Sequence, residues 1–500
     1  MNDPLLIGID VGTTAVKAAL FDTKGHAMKT YVSRYPTVRP APGIVEQNAE
    51  DWVQRCLEAI ATLTDGPALG RVSSIGLTSQ VNTHVFVDDH GAALLPAFVW
   101  QDGRCAHEAA ELDKRILDTD RLRWWGAPLP VDSSHVLARM ANVARHHPAV
   151  WAQTRWVMAP KDYCIFRLTG VVAADPMTSF GVVDGTLAYI PELLALVPGA
   201  AERLPPLAPL TAGAGRIRAG LPASGAPMVV GTMDAWAGLL GAGVARQDEA
   251  VYLSGTSEVL GIVSERKVPT PGVIAFARCE GIVLHAGPTQ AGGASIEWLA
   301  GILNETPATL SALVSALDLA RPAPIFLPHL AGERAPLWDI TSRASFSGMT
   351  SATSAADLAR AVFEGVAYSA RLLLQSLEQS SNCHPASLNL AGGGTKSDIW
   401  CQIRADVLGR PLRRTANRDA GVLGAAILAG VGNGLFANID AATRQLVVFD
   451  RTFEPNPAQA GRHAFGFGKY LELYRQLKSF NTDFVTFAYP TGGIETSGTT

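Results

Sequence analysis

Apolar residues near the start of the chain fall in two short runs that a small polar turn separates. Residues 5–11 (LLIGIDV) and 15–21 (AVKAALF) are mainly apolar, and Gly12-Thr13-Thr14 lies between them. This pattern is typical of a β-hairpin. Between residues 50 and 63 the apolar positions recur at intervals of three and four, which predicts an amphipathic helix with Asn48 as its N-cap. An apolar run at 72–77 predicts another strand, so the opening segment indicates a sheet with packed helices.

The hairpin pattern recurs about half a chain later. Residues 250–263 again contain an apolar run, a turn formed by Gly255-Thr256-Ser257, and a second apolar run. We interpret this recurrence as the remnant of an internal duplication. It predicts two α/β domains, at 1–244 and 245–485, followed by a Gly/Thr/Ser-rich tail at 486–500 that we expect to be disordered.

Other segments supply connections and further helices. The proline- and glycine-rich stretch 198–227 predicts a long surface connection with a short hairpin. Residues 228–243 follow a strand–turn–helix pattern, and Ser354 with Asp357 forms a capping pair for a helix that extends to about residue 379. A strand at 388–391, a Gly392-Gly393-Gly394 turn and a helix at 397–408 follow.

Composition narrows the class of protein. Of 500 residues, 48% are apolar and 17% charged, and neither the 48 glycines nor the 31 prolines recur with a fixed period. These values exclude a disordered, coiled-coil or collagen-like chain. The net charge is −4 without a long basic run, which argues against nucleic-acid binding.

The remaining global features indicate a cytoplasmic protein. The six cysteines are widely separated and form no C-x-x-C pair, so we expect reduced thiols. The first residues are typical of a core strand and lack the basic region of a signal peptide. No apolar stretch reaches the length of a membrane span.

Two glycine–threonine hairpins facing each other would form a phosphate clamp. Glycine allows backbone amides to approach an anion, and the hydroxyls of Thr13, Thr14 and Thr256 add donors. Asp10, at the end of the first strand, is placed to hold Mg²⁺ directly or through water. Either turn alone is more often an ordinary hairpin, but the pair together with Asp10 favours phosphate binding.

Two further features have both a chemical and a structural interpretation. Asp234 follows an apolar strand and precedes a helix of small residues, so it is either a base facing a cleft or a helix N-cap. Gly392-Gly393-Gly394 is suited either to a nucleotide or to close packing. The chain has neither a Walker A motif nor a G-x-G-x-x-G motif after a strand, which excludes the common P-loop and Rossmann sites.

Taken together, the motifs resemble those of the FGGY carbohydrate kinase family, and most closely its xylulokinase-like branch. They occur in the expected order over about residues 5 to 430, which is more specific than any single motif. The matching segments are residues 8–17 (GIDVGTTAVK), 100–105 (WQDGRC), 160–163 (PKDY), 231–234 (GTMD), 253–257 (LSGTS), 332–336 (GERAP) and 346–364.

The resemblance implies two ribonuclease-H-like (actin-like ATPase) domains with a central active-site cleft, and phosphorylation of a sugar or polyol by ATP and Mg²⁺. Asp234 would be the catalytic base, and a homodimer is the family expectation. The implied site residues are Asp10 for the metal, Gly12, Thr13, Thr14, Lys17, Gly255 and Thr256 for the phosphates, Gly293, Gly393 and Ser397 for the nucleoside, and Gln80, Val81, Asn82, Trp100, Asp102 and Asp234 for the sugar.

The sequence departs from the branch at the sugar site. Xylulokinases carry Gln-Met-His-Gly where this chain has Gln80-Val81-Asn82-Thr83, so an asparagine replaces a histidine. Such a change can redirect specificity, because a site built around particular hydroxyls rejects analogues that leave its polar groups unpaired. A ketopentose such as xylulose is the first candidate substrate, and a pentitol, erythritol or glycerol is the alternative. A non-catalytic, nucleotide-gated protein of actin-like fold is a third interpretation, although such a protein would not need Asp234.

Overall fold

The computed structural model describes residues 3–319 and 321–488, which contain both strands and helices along their length. The predicted tail lies outside the described residues except for 486–488, which are helical and end the last helix. The strands are β1 Leu5–Val11, β2 Ala15–Phe21, β3 Ala27–Arg34, β4 Glu46–Gln47, β5 Val72–Ser79, β6 Val85–Val87, β7 Ala97–Phe98, β8 Trp156–Met158, β9 Gly213–Arg216, β10 Pro227–Val229, β11 Thr232–Met233, β12 Ala250–Ser254, β13 Glu258–Val263, β14 Ile274–Ala275, β15 Leu284–Pro288, β16 Ile325–Leu327, β17 Ser345–Ser347, β18 Leu388–Ala391, β19 Leu412–Thr415 and β20 Phe449–Phe453. The α-helices are α1 Ala49–Leu63, α2 Ala106–Asp113, α3 Asp118–Trp125, α4 Val136–His146, α5 Pro148–Gln153, α6 Pro160–Thr169, α7 Pro191–Leu194, α8 Asp234–Gly241, α9 Gly293–Leu303, α10 Pro307–Ser315, α11 Ala355–Ser381, α12 Asp398–Leu408, α13 Ala420–Gly432, α14 Ile439–Leu446 and α15 Ala460–Ala488.

Two seven-stranded sheets repeat one pattern of strand pairing. The first has the order β3-β2-β1-β5-β10-β9, with β11 added beside β5, and the second has the order β14-β15-β13-β12-β18-β19-β20. In the first sheet β1 pairs antiparallel with β2 and parallel with β5. In the second sheet β12 pairs antiparallel with β13 and parallel with β18. This repetition agrees with the internal duplication that the sequence predicts, whereas the exact boundary at residue 244 stays a prediction.

The alternation of β1 side chains assigns its two faces to different helices. Leu5, Ile7 and Ile9 pack in a core that includes α1, whereas Leu6 packs in the core that contains α13. Since side chains alternate along a strand, Asp10 lies on the same face as Leu6. The end of β1 therefore directs a carboxylate toward the side of the sheet that α13 covers.

Helix α13 comes from the C-terminal half of the chain but packs on the first sheet and on α8. Backbone approaches there are too close for any side chain. A Cβ on Gly8 would lie 1.8 Å from the carbonyl oxygen of Val422, and one on Gly424 would lie 1.8 Å from that of Ala237. These glycines allow α13 to join the two halves in one continuous core.

The predicted helix termini and the connection after residue 198 are confirmed. Asn48 caps α1 by accepting from the Glu50 amide, and Ser354 with Asp357 forms a capping box at α11. The proline-rich connection contains β9, which pairs with β10 at the edge of the first sheet.

All six cysteines are buried and free of disulfides. Among residues 3–319 and 321–488, no helix is long and apolar enough to cross a membrane.

Candidate active site

The first hairpin turn is held by side chains from three other segments. The Tyr35 hydroxyl donates to the carbonyl oxygen of Gly12, and the Gln47 amide donates to that of Thr13 over 2.7 Å. The indole nitrogen of Trp100 donates to Thr13 Oγ1 over 3.0 Å. The carbonyl oxygens of Gly12 and Thr13 thus accept hydrogen bonds from other segments, whereas Thr14 is exposed at the tip of the turn.

Asp10 is an unsatisfied carboxylate at the base of this turn. Its Oδ1 is buried and has no hydrogen-bond partner among the described residues. Burial, followed by repulsion from Asp234, raises the pKa of Asp10 to about 7. A Cβ on Gly421, in the first turn of α13, would lie 3.4 Å from Asp10 Oδ2. The N-terminal end of α13 thus adjoins the carboxylate, where the helix dipole favours negative charge.

Lys17 of β2 pairs with the residue that precedes α13. Its ammonium donates to Asp419 Oδ1 over 2.7 Å, and both side chains are about half exposed. Such an exposed pair contributes little stability. The lysine remains accessible enough to exchange its carboxylate partner for a phosphate.

Asp234 lies at the junction of β11 and α8. Met233 occupies the N-cap position, and Asp234 is the first helical residue. Its Oδ1 accepts from the Ala235 amide over 2.8 Å, so the helix uses only part of the carboxylate. Burial raises the pKa of Asp234 to about 6, which leaves it mainly ionised at neutral pH.

The second hairpin is joined to the start of α9. The Gly293 amide donates to the carbonyl oxygen of Gly255 over 2.9 Å, and that of Ala294 donates to Thr256 over 3.0 Å. Gly255 and Thr256 are themselves exposed. Gly293 thus supports the hairpin with its amide, and its predicted nucleoside contact stays a prediction.

The glycine turn after β18 lies against the end of β12. Gly392 has a φ of +102°, and a Cβ there would lie 2.3 Å from the Ser254 carbonyl oxygen. Gly393 is exposed, with open space where a Cβ would be. Ser397 caps α12 by accepting from the Trp400 amide. Close packing accounts for Gly392, whereas Gly393 is accessible to a ligand.

A fully buried ion pair lies beneath this second hairpin. Arg404 of α12 donates to Glu258 of β13 and to Ser254 Oγ, and the Tyr252 hydroxyl also donates to Glu258. The Arg404 guanidinium stacks 3.4 Å from the Trp400 ring centre. The sequence motifs gave no signal for this pair, since its members lie 146 residues apart.

The three predicted sugar contacts in the segment after β5 differ in how deeply they are buried. Gln80 is buried and donates to Gln47 Oε1 over 2.9 Å, so it supports the residue that holds Thr13. Val81 is partly buried and packs against the core that contains Leu6 and α13. Asn82 is partly exposed, has a φ of +52° and donates to Ser134 Oγ over 3.2 Å.

Asp102 is likewise committed to internal contacts. It is 1% exposed; its Oδ1 accepts from Arg104 Nε over 2.9 Å and its Oδ2 from the Val45 amide over 2.6 Å. Arg104 also donates its backbone amide and Nη2 to this carboxylate. Four donors fill the acceptor capacity of a carboxylate. Asp102 therefore supports the loop that carries Trp100, and direct contact with a hydroxyl would require this pairing to open.

Sequence reasoning assigned no role to Arg334, which reaches this region from the C-terminal half. Its guanidinium lies 5.3 Å from the Trp100 ring centre, and its Nε donates to Gln290 Oε1 over 2.6 Å. Glu333 accepts from the Arg334 amide and from Ser369 Oγ, which fixes the loop. The GERAP motif was the available signal, since Arg334 lies within it.

Metal binding here would rely on few protein ligands. Within the described ranges no group of three or more His, Cys, Asp or Glu side chains could hold a metal ion. Mg²⁺ commonly takes one or two carboxylates, with water and substrate phosphates as its other ligands. The unpaired Oδ1 of Asp10 fits that coordination.

The chain is similar over most of its length to proteins named as sugar kinases. Its residues 5–241 and 250–432 match the N- and C-terminal domains of the FGGY family of carbohydrate kinases. It is 31% identical over 449 residues to the xylulose kinase of Escherichia coli, covering 85% of this chain and 90% of that enzyme. Two solved structures from Lactobacillus acidophilus are also similar, each 26% identical: a ligand-bound xylulose kinase (TM-score 0.85, 96% of this chain and 100% of that one) and a gluconate kinase (TM-score 0.86, 97% and 100%).

The repeated sheets and the similar structures define an α/β protein with two actin-like ATPase domains. The chain belongs to the FGGY family of carbohydrate kinases. It is an enzyme that phosphorylates a sugar with ATP.

Proposed function

We propose that this kinase transfers the γ-phosphate of ATP to a hydroxyl of a ketopentose, with xylulose as the first candidate. The observation that carries the proposal is the position of Asp234. Met233 pairs with Ser79, so Asp234 and Gln80 leave neighbouring parallel strands at the same edge of the sheet. The candidate base thus lies beside the segment that ends in Asn82, the accessible polar group of the sugar side.

Catalysis would depend on proton removal and on charge stabilisation. The Asp234 carboxylate, ionised at neutral pH, accepts the proton of the attacking hydroxyl. The exposed turns present the amides and hydroxyls of Thr14 and Thr256 to the phosphates, whereas the Gly255 amide donates within its hairpin to the carbonyl oxygen of Ser257. Lys17 adds a positive charge once a phosphate displaces Asp419. Phosphoryl transfer needs little more than such positioning and electrostatic stabilisation.

Magnesium completes the proposed site at Asp10. The support is the buried, unpartnered Oδ1 and the raised pKa, since a nearby cation would relieve both. When bound, Mg²⁺ supplies charge neutralisation for the phosphate oxygens. Asp10 would hold the ion directly or through water.

Arg334 favours one second candidate substrate, a sugar acid. Its guanidinium lies over Trp100, and a guanidinium pairs readily with a carboxylate. The similarity to the gluconate kinase of Lactobacillus acidophilus agrees with this alternative. The negative charge of Asp132 also acts on Arg334. Because Asp132 would compete with a substrate carboxylate for the guanidinium, it favours a neutral sugar.

A comparison of substrates tests the proposal. ADP release would be measured for xylulose, other ketopentoses, gluconate, pentitols, erythritol and glycerol, with Asp234→Asn as the control. We expect the highest kcat/KM with xylulose and a loss of roughly 10²- to 10⁴-fold in the variant.

The substrate comparison tests the ketopentose assignment, and the Asp234→Asn variant tests the base assignment. A higher kcat/KM for gluconate or for a polyol would replace the ketopentose assignment. Near-native turnover by Asp234→Asn, with its nucleotide binding intact, would overturn the base assignment.

A further inference from the structure

Lys161 of the PKDY segment lies in a closed cluster of charges that the proposed chemistry does not use. Lys161, Asp162 and Asp175 are 0%, 3% and 0% exposed. The ammonium contacts Asp162 Oδ1 and lies 2.8 Å from Asp175 Oδ2. Burial acts to lower the pKa of Lys161, but the two carboxylates outweigh it and raise that pKa. The lysine is therefore charged and fully enclosed.

This cluster is connected to the residues immediately before Asp234. Asp175 Oδ1 accepts from Thr232 Oγ1 over 2.9 Å, two residues before the candidate base. The same oxygen accepts from the amides of Met177 and Thr178, each over 3.0 Å, which anchors the carboxylate. Lys161 Nζ also donates to the carbonyl oxygen of Val230 over 3.3 Å.

Further contacts hold the same short segment from the side of β5. Thr78 Oγ1 donates to the carbonyl oxygen of Thr232 over 2.7 Å, and Thr232 pairs with Thr78 across the strands. Thr78 in turn pairs with Asp10 of β1. β11 has only two residues, so its regular sheet pairing is limited. Side-chain hydrogen bonds supply much of the support for the turn that leads to Asp234.

We infer that Lys161, Asp175 and Thr232 are positioning residues, which hold the β11–α8 turn so that the Asp234 carboxylate stays in line with the sugar hydroxyl. The inference rests on the proposed role of Asp234 as base. The cluster acts on geometry, through the backbone of residues 230–234 that it contacts. A misplacement of about 1 Å can cost on the order of 10²-fold in rate.

Thr232 is the best position for a test because its hydroxyl can be removed with little change in shape. Thr232→Val keeps the volume but removes the donor to Asp175, which keeps two backbone donors and Lys161. Thr232→Ser restores the hydroxyl. A matched control is Thr64→Val, which removes another buried hydroxyl, bonded to the Ile60 carbonyl over 2.8 Å at the end of α1.

Steady-state kinetics with the best sugar of the substrate comparison, together with thermal unfolding, separate positioning from general stability. We expect kcat of Thr232→Val to fall about tenfold or more while KM for ATP and sugar stays within about twofold. Thr232→Ser and Thr64→Val should keep kcat within about twofold of the unaltered enzyme. If Thr232→Val does not fold, Thr232→Cys, whose thiol is a weak donor, takes its place with an intermediate loss of kcat.

Three results would overturn the inference. The first is an unchanged kcat in Thr232→Val. The others are a loss of kcat in Thr232→Ser or in Thr64→Val as large as the loss in Thr232→Val. Asp234→Asn, measured in the same assay, keeps the two proposals distinguishable. Turnover by Asp234→Asn would refute the base assignment itself, whereas an inactive Asp234→Asn beside a fully active Thr232→Val would refute only the positioning role.

Discussion

At the scale of single residues, the environment of Asp234 sets the pH at which it can act as a base. Burial raises its pKa to about 6, against the lowering effect of the backbone amides. A base must be deprotonated to accept a proton, so acidification through that pKa removes activity. The raised value brings the acidic limb of the pH profile close to neutrality.

We therefore predict that kcat/KM for the sugar, at saturating ATP and Mg²⁺, falls below about pH 6 by roughly tenfold for each pH unit. Initial rates between pH 5 and 8 measure it. Far-ultraviolet circular dichroism over the same range would show that the fold persists. A rate that stays constant down to pH 5 would contradict the assigned base.

Residues of one motif can occupy very different environments. The match of residues 100–105 to the family implies that Trp100 and Asp102 both face the sugar, yet Asp102 is enclosed by Arg104 and the Val45 amide. Sequence spacing identifies the loop, but it does not show which side chains the loop buries. That distinction depends on partners such as Val45, which lies 57 residues away.

At the scale of secondary structure, the local signals predicted the elements well. The two hairpins, α1 and α11 have their own turn or cap residues, and each lies where those residues indicate. The two-residue strand β11 and the packing of α13 on α8 were not predicted. Both depend on backbone contacts between distant segments, and a run of small apolar residues does not indicate its partner.

Close helix packing makes a clear prediction for Gly424→Ala. A Cβ there would lie 1.8 Å from the Ala237 carbonyl oxygen, so the helices must separate, and we expect a loss of about 3 kcal/mol in the free energy of unfolding. The matched control is Gly301→Ala in α9, where nothing lies within 4 Å. That change should be neutral or stabilise the protein by up to about 1 kcal/mol.

Denaturant unfolding of both variants measures these changes. Since α8 begins with Asp234, Gly424→Ala should also lower kcat. Equal stability of the two alanine variants would show that α8 and α13 can separate at no cost.

At the scale of the whole molecule, the two halves of the chain do not form entirely separate hydrophobic cores. The central core combines Leu6 and Phe21 of the first sheet with Val422 and Leu428 of α13. The segment 1–244, which the sequence predicts as a domain, therefore lacks the helix that covers one face of its own sheet. The second half of the chain supplies that helix after completing most of its own sheet.

We accordingly predict that a fragment of residues 1–244 does not fold stably, because the sheet face that α13 covers would be exposed to water. Joining residues 418–448 to its end should restore folding. A short Gly-Ser linker suffices, since the backbone of Gly241 touches that of Ala420: a Cβ on Gly241 would lie 1.8 Å from the Ala420 carbonyl oxygen. Circular dichroism and thermal unfolding of the two fragments measure this difference, with a joined fragment that carries Gly424→Ala as the control. A cooperative transition in the fragment without α13 would mean that the first sheet is stable alone, and that α13 only joins two domains which fold independently.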